Sequence, residues 1–113
     1  MTKDTQENTE TIAALNDMLR QSQLTGQITL SKGVQSLNAD MRKRILTGVK
    51  IYNAFAPQGD EQKERDFGAF SCDEHDIFWV IDCYDENSHY LSDNPADLNR
   101  TNRVLRVMLV DEY

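Results

Sequence analysis

The sequence predicts an α+β domain, with two N-terminal helices packed on a mainly antiparallel sheet of about four strands, in the order helix, strand, helix, then three strands. Three observations predict it. Apolar residues recur at helical spacing in two early stretches, Ile12/Leu15/Met18/Leu19 and Met41/Ile45/Val49/Tyr52. Two strand-like runs, Phe67 to Cys72 and Ile77 to Tyr84, flank the polar tetrapeptide Asp73-Glu74-His75-Asp76. A further run from Arg103 to Val110 contains three valines, which favours a strand over the helix that its Leu, Met and Arg would also allow.

The elements follow in chain order. Residues 1–8 are polar and read as a flexible N-terminus, leaving residues 9–113 as a single domain. The first helix is expected from Thr9, its N-cap, to about Ser22, with Glu10 opposing the helix dipole. Gly26 marks a stop or turn. Gln27 to Ser31 alternates, with Ile28 and Leu30 on one side, as in a short half-buried strand, and Lys32-Gly33 reads as a turn. Asn38 caps a second helix from Ala39 to about Phe55, ended by Ala56-Pro57. Gly48 weakens that helix by about 1 kcal/mol relative to alanine and marks a close contact with another element. Gln58 to Arg65 is a polar, mobile loop.

The hairpin carries the strongest local signal. Phe70, Cys72, Ile77, Trp79, Ile81 and Cys83 share one wholly apolar face. Phe67, Ala69, Ser71, Phe78, Val80, Asp82 and Tyr84 share a mixed one. A symmetric connection of two or four residues centred on Glu74-His75 sets Phe70 opposite Trp79, Cys72 opposite Ile77 and Gly68 opposite Ile81. In that register Cys83 lies opposite Asp66, about 20 Å along the strand from Cys72, and an intrachain disulfide is excluded. Asp85 to Asp97 is a polar loop, and the closing strand is expected to be buried on both faces.

Composition bounds the function. The chain has 113 residues, a net charge of −7 and 39% hydrophobic residues, which suits one globular domain able to fold without metal or disulfide. Its longest apolar run, Ile77 to Ile81, is five residues, against about 20 for a membrane span. Met1 to Asn8 has no apolar signal region. Two cysteines are then expected as reduced thiols, and the protein as cytoplasmic, soluble and free of the membrane.

Charge is segregated. Residues 1–26 carry −2, residues 27–57 +4, residues 58–97 −10 and residues 98–113 +1. The positive charge sits on the second helix, at Arg42, Lys43, Arg44 and Lys50. The bland reading is a pair of solvated faces that keep the protein soluble. The sharper one is an acidic surface that engages a basic partner where nucleic-acid phosphates would sit, with direct DNA binding disfavoured. Its candidate residues are Asp73, Glu74, Asp76, Asp85 and Glu86. No catalytic residue, metal ligand or cofactor is assigned: consecutive side chains at a hairpin tip diverge, and Cys72 and Cys83 fall on the apolar face as small hydrophobes. There is no phosphate-binding glycine loop, nucleophile elbow or zincin helix. The rival readings are a small enzyme using Asp82 with His75 or His89, and a homo-oligomer joined through the mixed hairpin face. Asp82 is alternatively an ion-pair partner of Arg103 or Arg106, if the last strand lies beside it.

The segments Asp66-Phe-Gly-Ala-Phe70, Ile77-Phe-Trp-Val-Ile-Asp-Cys-Tyr-Asp85 and Arg103-Val-Leu-Arg-Val-Met-Leu-Val-Asp-Glu-Tyr113 resemble an uncharacterised bacterial family, domain of unknown function 3768. Ala14-Leu-Asn16 and Ile28-Thr-Leu-Ser-Lys-Gly-Val34 also follow its pattern, so the resemblance spans about residues 12–113. Val80 and Cys83 depart from it. The resemblance implies a cytoplasmic accessory protein of plasmids and other mobile elements and assigns no activity. Joined to the charge pattern, it makes an anti-defence inhibitor (anti-CRISPR or anti-restriction) the concrete form of the binding reading.

Overall fold

The computed structural model describes residues 6–55 and 64–113. Three helices precede most of a four-stranded mixed sheet: α1 (Gln6–Ser22), β1 (Gln27–Leu30), α2 (Lys32–Gln35), α3 (Ala39–Ile51), β2 (Phe67–Cys72), β3 (His75–Tyr84) and β4 (Asn102–Leu109). Single 3-10 turns lie at Leu98–Arg100 and Val110–Glu112. The expected α+β architecture is therefore present. Most of the predicted 58–65 loop, the Ala56-Pro57 stop and part of the 1–8 stretch lie outside the described residues.

The sheet order is β1-β4-β3-β2. β2/β3 and β3/β4 pair antiparallel, and β1 pairs parallel with β4. The interior strand β4 is buried along its helix-facing side, and on its other side burial is confined to Met108, 7% exposed, so the expected two-faced burial holds only at that end. Arg103, Leu105 and Val107 point under the helices, while Arg106 is exposed on the other side. The helices cover one face of the sheet, and Leu19, Val34, Ile45, Val49, Ile77, Trp79, Ile81, Leu105 and Val107 form the core between the layers. Trp79 is fully buried, a burial that stabilises by about 3 kcal/mol.

Local chemistry sets most boundaries. The Asn38 side chain accepts from the Met41 amide at 2.7 Å and caps α3 as expected. A Cβ on Gly48 would stand 2.5 Å from the Phe70 ring, which is the close contact its position announces. α3 ends at Ile51, four residues early. The chain leaves the helix at Tyr52 so that Tyr52 and Phe55 pack edge-on against Trp79, with ring centroids 5.4 and 6.1 Å away.

Three further expectations are corrected. Lys32-Gly33 opens the one-turn helix α2, because the Ser31 hydroxyl caps the Val34 amide and Val34 is fully buried. α1 begins at Gln6, not at Thr9, and its buried stripe is Ile12, Ala13, Asn16, Leu19 and Arg20, with Met18 43% exposed. The stripe is rotated because Asn16 and Arg20 find hydrogen-bond partners inside. The hairpin register is shifted by two residues: Phe70 pairs with Ile77, Gly68 with Trp79 and Cys72 with His75. The connection is the two-residue turn Asp73-Glu74, with Asp73 at φ 55°, the left-handed conformation that aspartate tolerates and a tight hairpin requires. A two-residue shift leaves both faces intact. Cys72 and Cys83 are free thiols.

Candidate binding surfaces

The five sequence-predicted residues fall into two groups. Asp73, Glu74 and Asp76 stand at the hairpin tip. Asp85 and Glu86 follow β3 at its far end, a strand of ten residues away, or about 33 Å.

At the tip, each carboxylate has a different role. Asp73 is gripped bidentately by Arg44 of α3, at 2.8 and 2.9 Å. Hydrogen bonding and attraction to that guanidinium hold the Asp73 carboxyl below its ordinary range and push Arg44 up. Asp76 accepts from the Ser71 hydroxyl across the hairpin at 2.7 Å. Glu74 is exposed at the turn. Glu74, His75 and Asp76 line a depression of about 130 Å³ with Leu109, Val110 and Asp111. Asp111 thus joins Glu74 and Asp76, a carboxylate that the linear charge count placed in a different segment.

At the far end, Asp85 organises its own loop. Its carboxylate accepts from the amides of His89 at 3.0 Å and Asn87 at 3.1 Å, and these bonds lower its pKa. Asn102 ties the loop to β4 by donating to the carbonyls of Asp85 and Glu86. Glu86 lies 3.8 Å from Arg100. Together with Asn87, Asp93 and Asn94 these residues wall a polar pocket of about 200 Å³.

Of the two rival catalytic pairs, Asp82 with His75 is not brought together. The Asp82 carboxylate receives Arg106 Nε at 2.7 Å, the second of the two partners its position suggested. His75 lies seven residues down the same strand on the opposite face, about 23 Å distant. Among the described residues no three His, Cys, Asp or Glu side chains converge as metal ligands. Burial raises the Cys83 thiol pKa, which keeps it protonated and weakly nucleophilic.

Sequence reasoning missed a buried polar network beneath the far end. Arg103, 1% exposed, donates to Asn16 Oδ1 at 2.9 Å and to the Pro95 carbonyl. Asn16, itself fully buried, donates to the Glu64 carbonyl at 3.0 Å. Burial pushes the carboxyls of Glu64 and Asp66 up, and each is reinforced by another carboxylate, Asp66 on Glu64 and Asp82 on Asp66. The available signal was Asn16 and Arg20 at helical spacing beside Ile12 and Leu19.

A family model described as "Protein of unknown function (DUF3768)" matches residues 30–112, and the chain belongs to that family. No curated protein and no solved structure matches it. Among the described residues no helix is long and apolar enough to cross a membrane.

Proposed function

We propose that this DUF3768 protein is a non-enzymatic acidic binding protein that engages a basic, nucleic-acid-handling protein partner. The observation that carries the reading is the meeting of Glu74, Asp76 and Asp111 around one depression at the hairpin tip, in a chain of net charge −7. Such carboxylates attract the surface that otherwise holds phosphates, and they repel nucleic acid itself. Asp85 and Glu86 extend the negative field at the opposite end of β3. In its most specific form the role is that of a cytoplasmic anti-defence inhibitor, anti-CRISPR or anti-restriction, encoded by a mobile element.

The structure refines which residues to alter. Asp73 serves Arg44 and helps hold α3 to the hairpin, so its reversal mixes binding with stability. Glu74→Lys with Asp76→Lys changes the surface and leaves that ion pair in place. Affinity capture from host lysate at rising salt tests the proposal. The expected result is a basic nucleic-acid-binding protein that the double variant fails to retain and that a DNA or RNA oligonucleotide displaces. Retention indifferent to charge reversal, salt and oligonucleotide overturns it.

A further inference from the structure

We infer that the helix-free face of the sheet is a two-fold self-association surface, a reading independent of the acidic ends. The face follows from strand register. Phe78, Val80, Asp82 and Tyr84 of β3 lie beside Met108, Arg106, Val104 and Asn102 of β4. Among the described residues no α-helix crosses them; the closing 3-10 turn and Tyr113 lie at the Phe78/Met108 end, where Met108 is 7% exposed. A solvated sheet face alternates polar residues with the buried ones. Here five of these eight positions are apolar or aromatic, which is the composition of a covered face. Phe78, Val80, Tyr84 and Val104 are each half-buried by their neighbours, and Tyr113 extends the patch by packing on Phe78, its ring tilted by 57° and the centroids 4.6 Å apart.

The polar groups on this face select the occupant. Its centre holds one closed ion pair, Asp82 with Arg106 at 2.7 Å, so it offers no net charge to a basic partner. A second copy presents the same pair reversed. A two-fold axis running along and between β3 and β4 sets β3 of one copy over β4 of the other. Val80 then meets the exposed Arg106 of the other copy, and Asp82 lies on the same diagonal to that copy's Arg106 as it does to its own. The contact is isologous, apolar around a charge-complementary centre. Strands of four, eight, ten and six residues give a face of about 450 Å² per copy. The total of about 900 Å² is in the range of weak, transient interfaces, so the dimer is reversible.

Sedimentation velocity of the full chain, from low micromolar to several hundred micromolar, tests this. The expected mass rises from 13.0 kDa toward twice that value. Val80→Lys and Val104→Arg each weaken association at least tenfold while the thermal midpoint stays near that of the unaltered protein. Asp82→Arg weakens it as well, and adding Arg106→Asp restores it. Should Val80→Lys unfold the chain, the concentration dependence of the Val80 and Val104 methyl resonances in the unaltered protein reports on the same face. A monomer throughout the range overturns the inference, as does a dimer indifferent to both valine substitutions. A monomer whose Val80→Lys variant loses capture of a basic protein assigns the face to that partner and overturns it too.

Discussion

Arg20 donates to the carbonyl of Tyr52 at 2.7 Å. The same guanidinium nitrogen reaches the carbonyls of Val49 and Lys50, at 3.1 and 3.3 Å. These carbonyls lie at the end of α3, where intrahelical donors run out, although the Val49 oxygen also accepts the Tyr52 amide at 3.4 Å. Arg20 also lies over the rings of Phe55 and Trp79, 5.4 and 5.5 Å from their centroids, and pairs with Asp17 at 3.0 Å. One side chain of α1 therefore caps α3 and fastens both helices to the core. Arg20→Ala is expected to destabilise by about 3–4 kcal/mol, from lost charge-assisted hydrogen bonds and lost packing on the rings. Arg20→Lys recovers only part, since an ammonium lacks the planar fork. The urea midpoint falls in both variants, with an unchanged slope if the unfolded state is unaffected.

Gly48 sits where α3 crosses β2. In an exposed helix Gly→Ala gains about 1 kcal/mol. Here the added methyl would stand 2.5 and 2.8 Å from Phe70 carbons. The clash outweighs the propensity, and Gly48→Ala is expected to lower stability by about 1–3 kcal/mol. Phe70→Leu in the same chain removes the obstructing ring edge. The double variant is then more stable than the sum of the single effects predicts, a coupling that a double-mutant cycle reads directly.

Asn16 joins α1 to the buried end of β4. Replacing it with leucine keeps the volume close but leaves Arg103 Nε and the Glu64 carbonyl without their partners. The Arg103 Nη1 atom already has none. Burial of the charge lowers the Arg103 pKa, so this guanidinium is poorly compensated before any change is made. Asn16→Leu is expected to cost about 2–4 kcal/mol, more than an ordinary buried amide. Asn16→Asp offers a charged acceptor to Arg103 and costs less. Thermal unfolding at neutral pH ranks the two.

The hairpin faces were legible because side chains alternate strictly along a strand, and a shift of two residues leaves that alternation unchanged. The pairing itself was not legible. It depends on whether Asp73 takes a left-handed φ, and the local sequence offers two turn centres of similar polarity. Asn38 and Gly48 declared their roles through chemistry confined to one helix and its neighbour. The face of α1 was misplaced for the opposite reason: Asn16 and Arg20 are buried by partners at Arg103 and Tyr52, which no local window contains. The candidate site divides the same way. Carboxylate excess is a property of composition and was read correctly as charge. That Arg44 neutralises Asp73, or that Asp111 joins Glu74, is decided by tertiary contact.

The carboxylates respond to acid with opposite signs. The folded pKa of Asp73 is lowered by Arg44, that of Asp85 by the His89 amide, and that of Glu112 by the Ser31 hydroxyl. Each contributes stability that is present above its unfolded pKa and is lost as pH falls through the folded value. Asp66 and Glu64 have raised folded values, chiefly from burial. Their contribution is full below the unfolded pKa and is lost as pH rises through the folded one. At neutral pH these two therefore oppose folding, and mild acidification first relieves them. Asp66→Asn is expected to stabilise the protein at pH 7 by less than about 1 kcal/mol, because the site is half open to solvent. The gain shrinks as pH falls toward 4. Asp73→Asn does the reverse: it destabilises at pH 7, and the difference from the unaltered chain disappears in acid. Thermal midpoints of the three proteins measured between pH 3 and 7.5 (a window set by ordinary carboxylate values) distinguish the two groups. Parallel curves for Asp66→Asn and the unaltered protein would show that the buried carboxyl titrates normally.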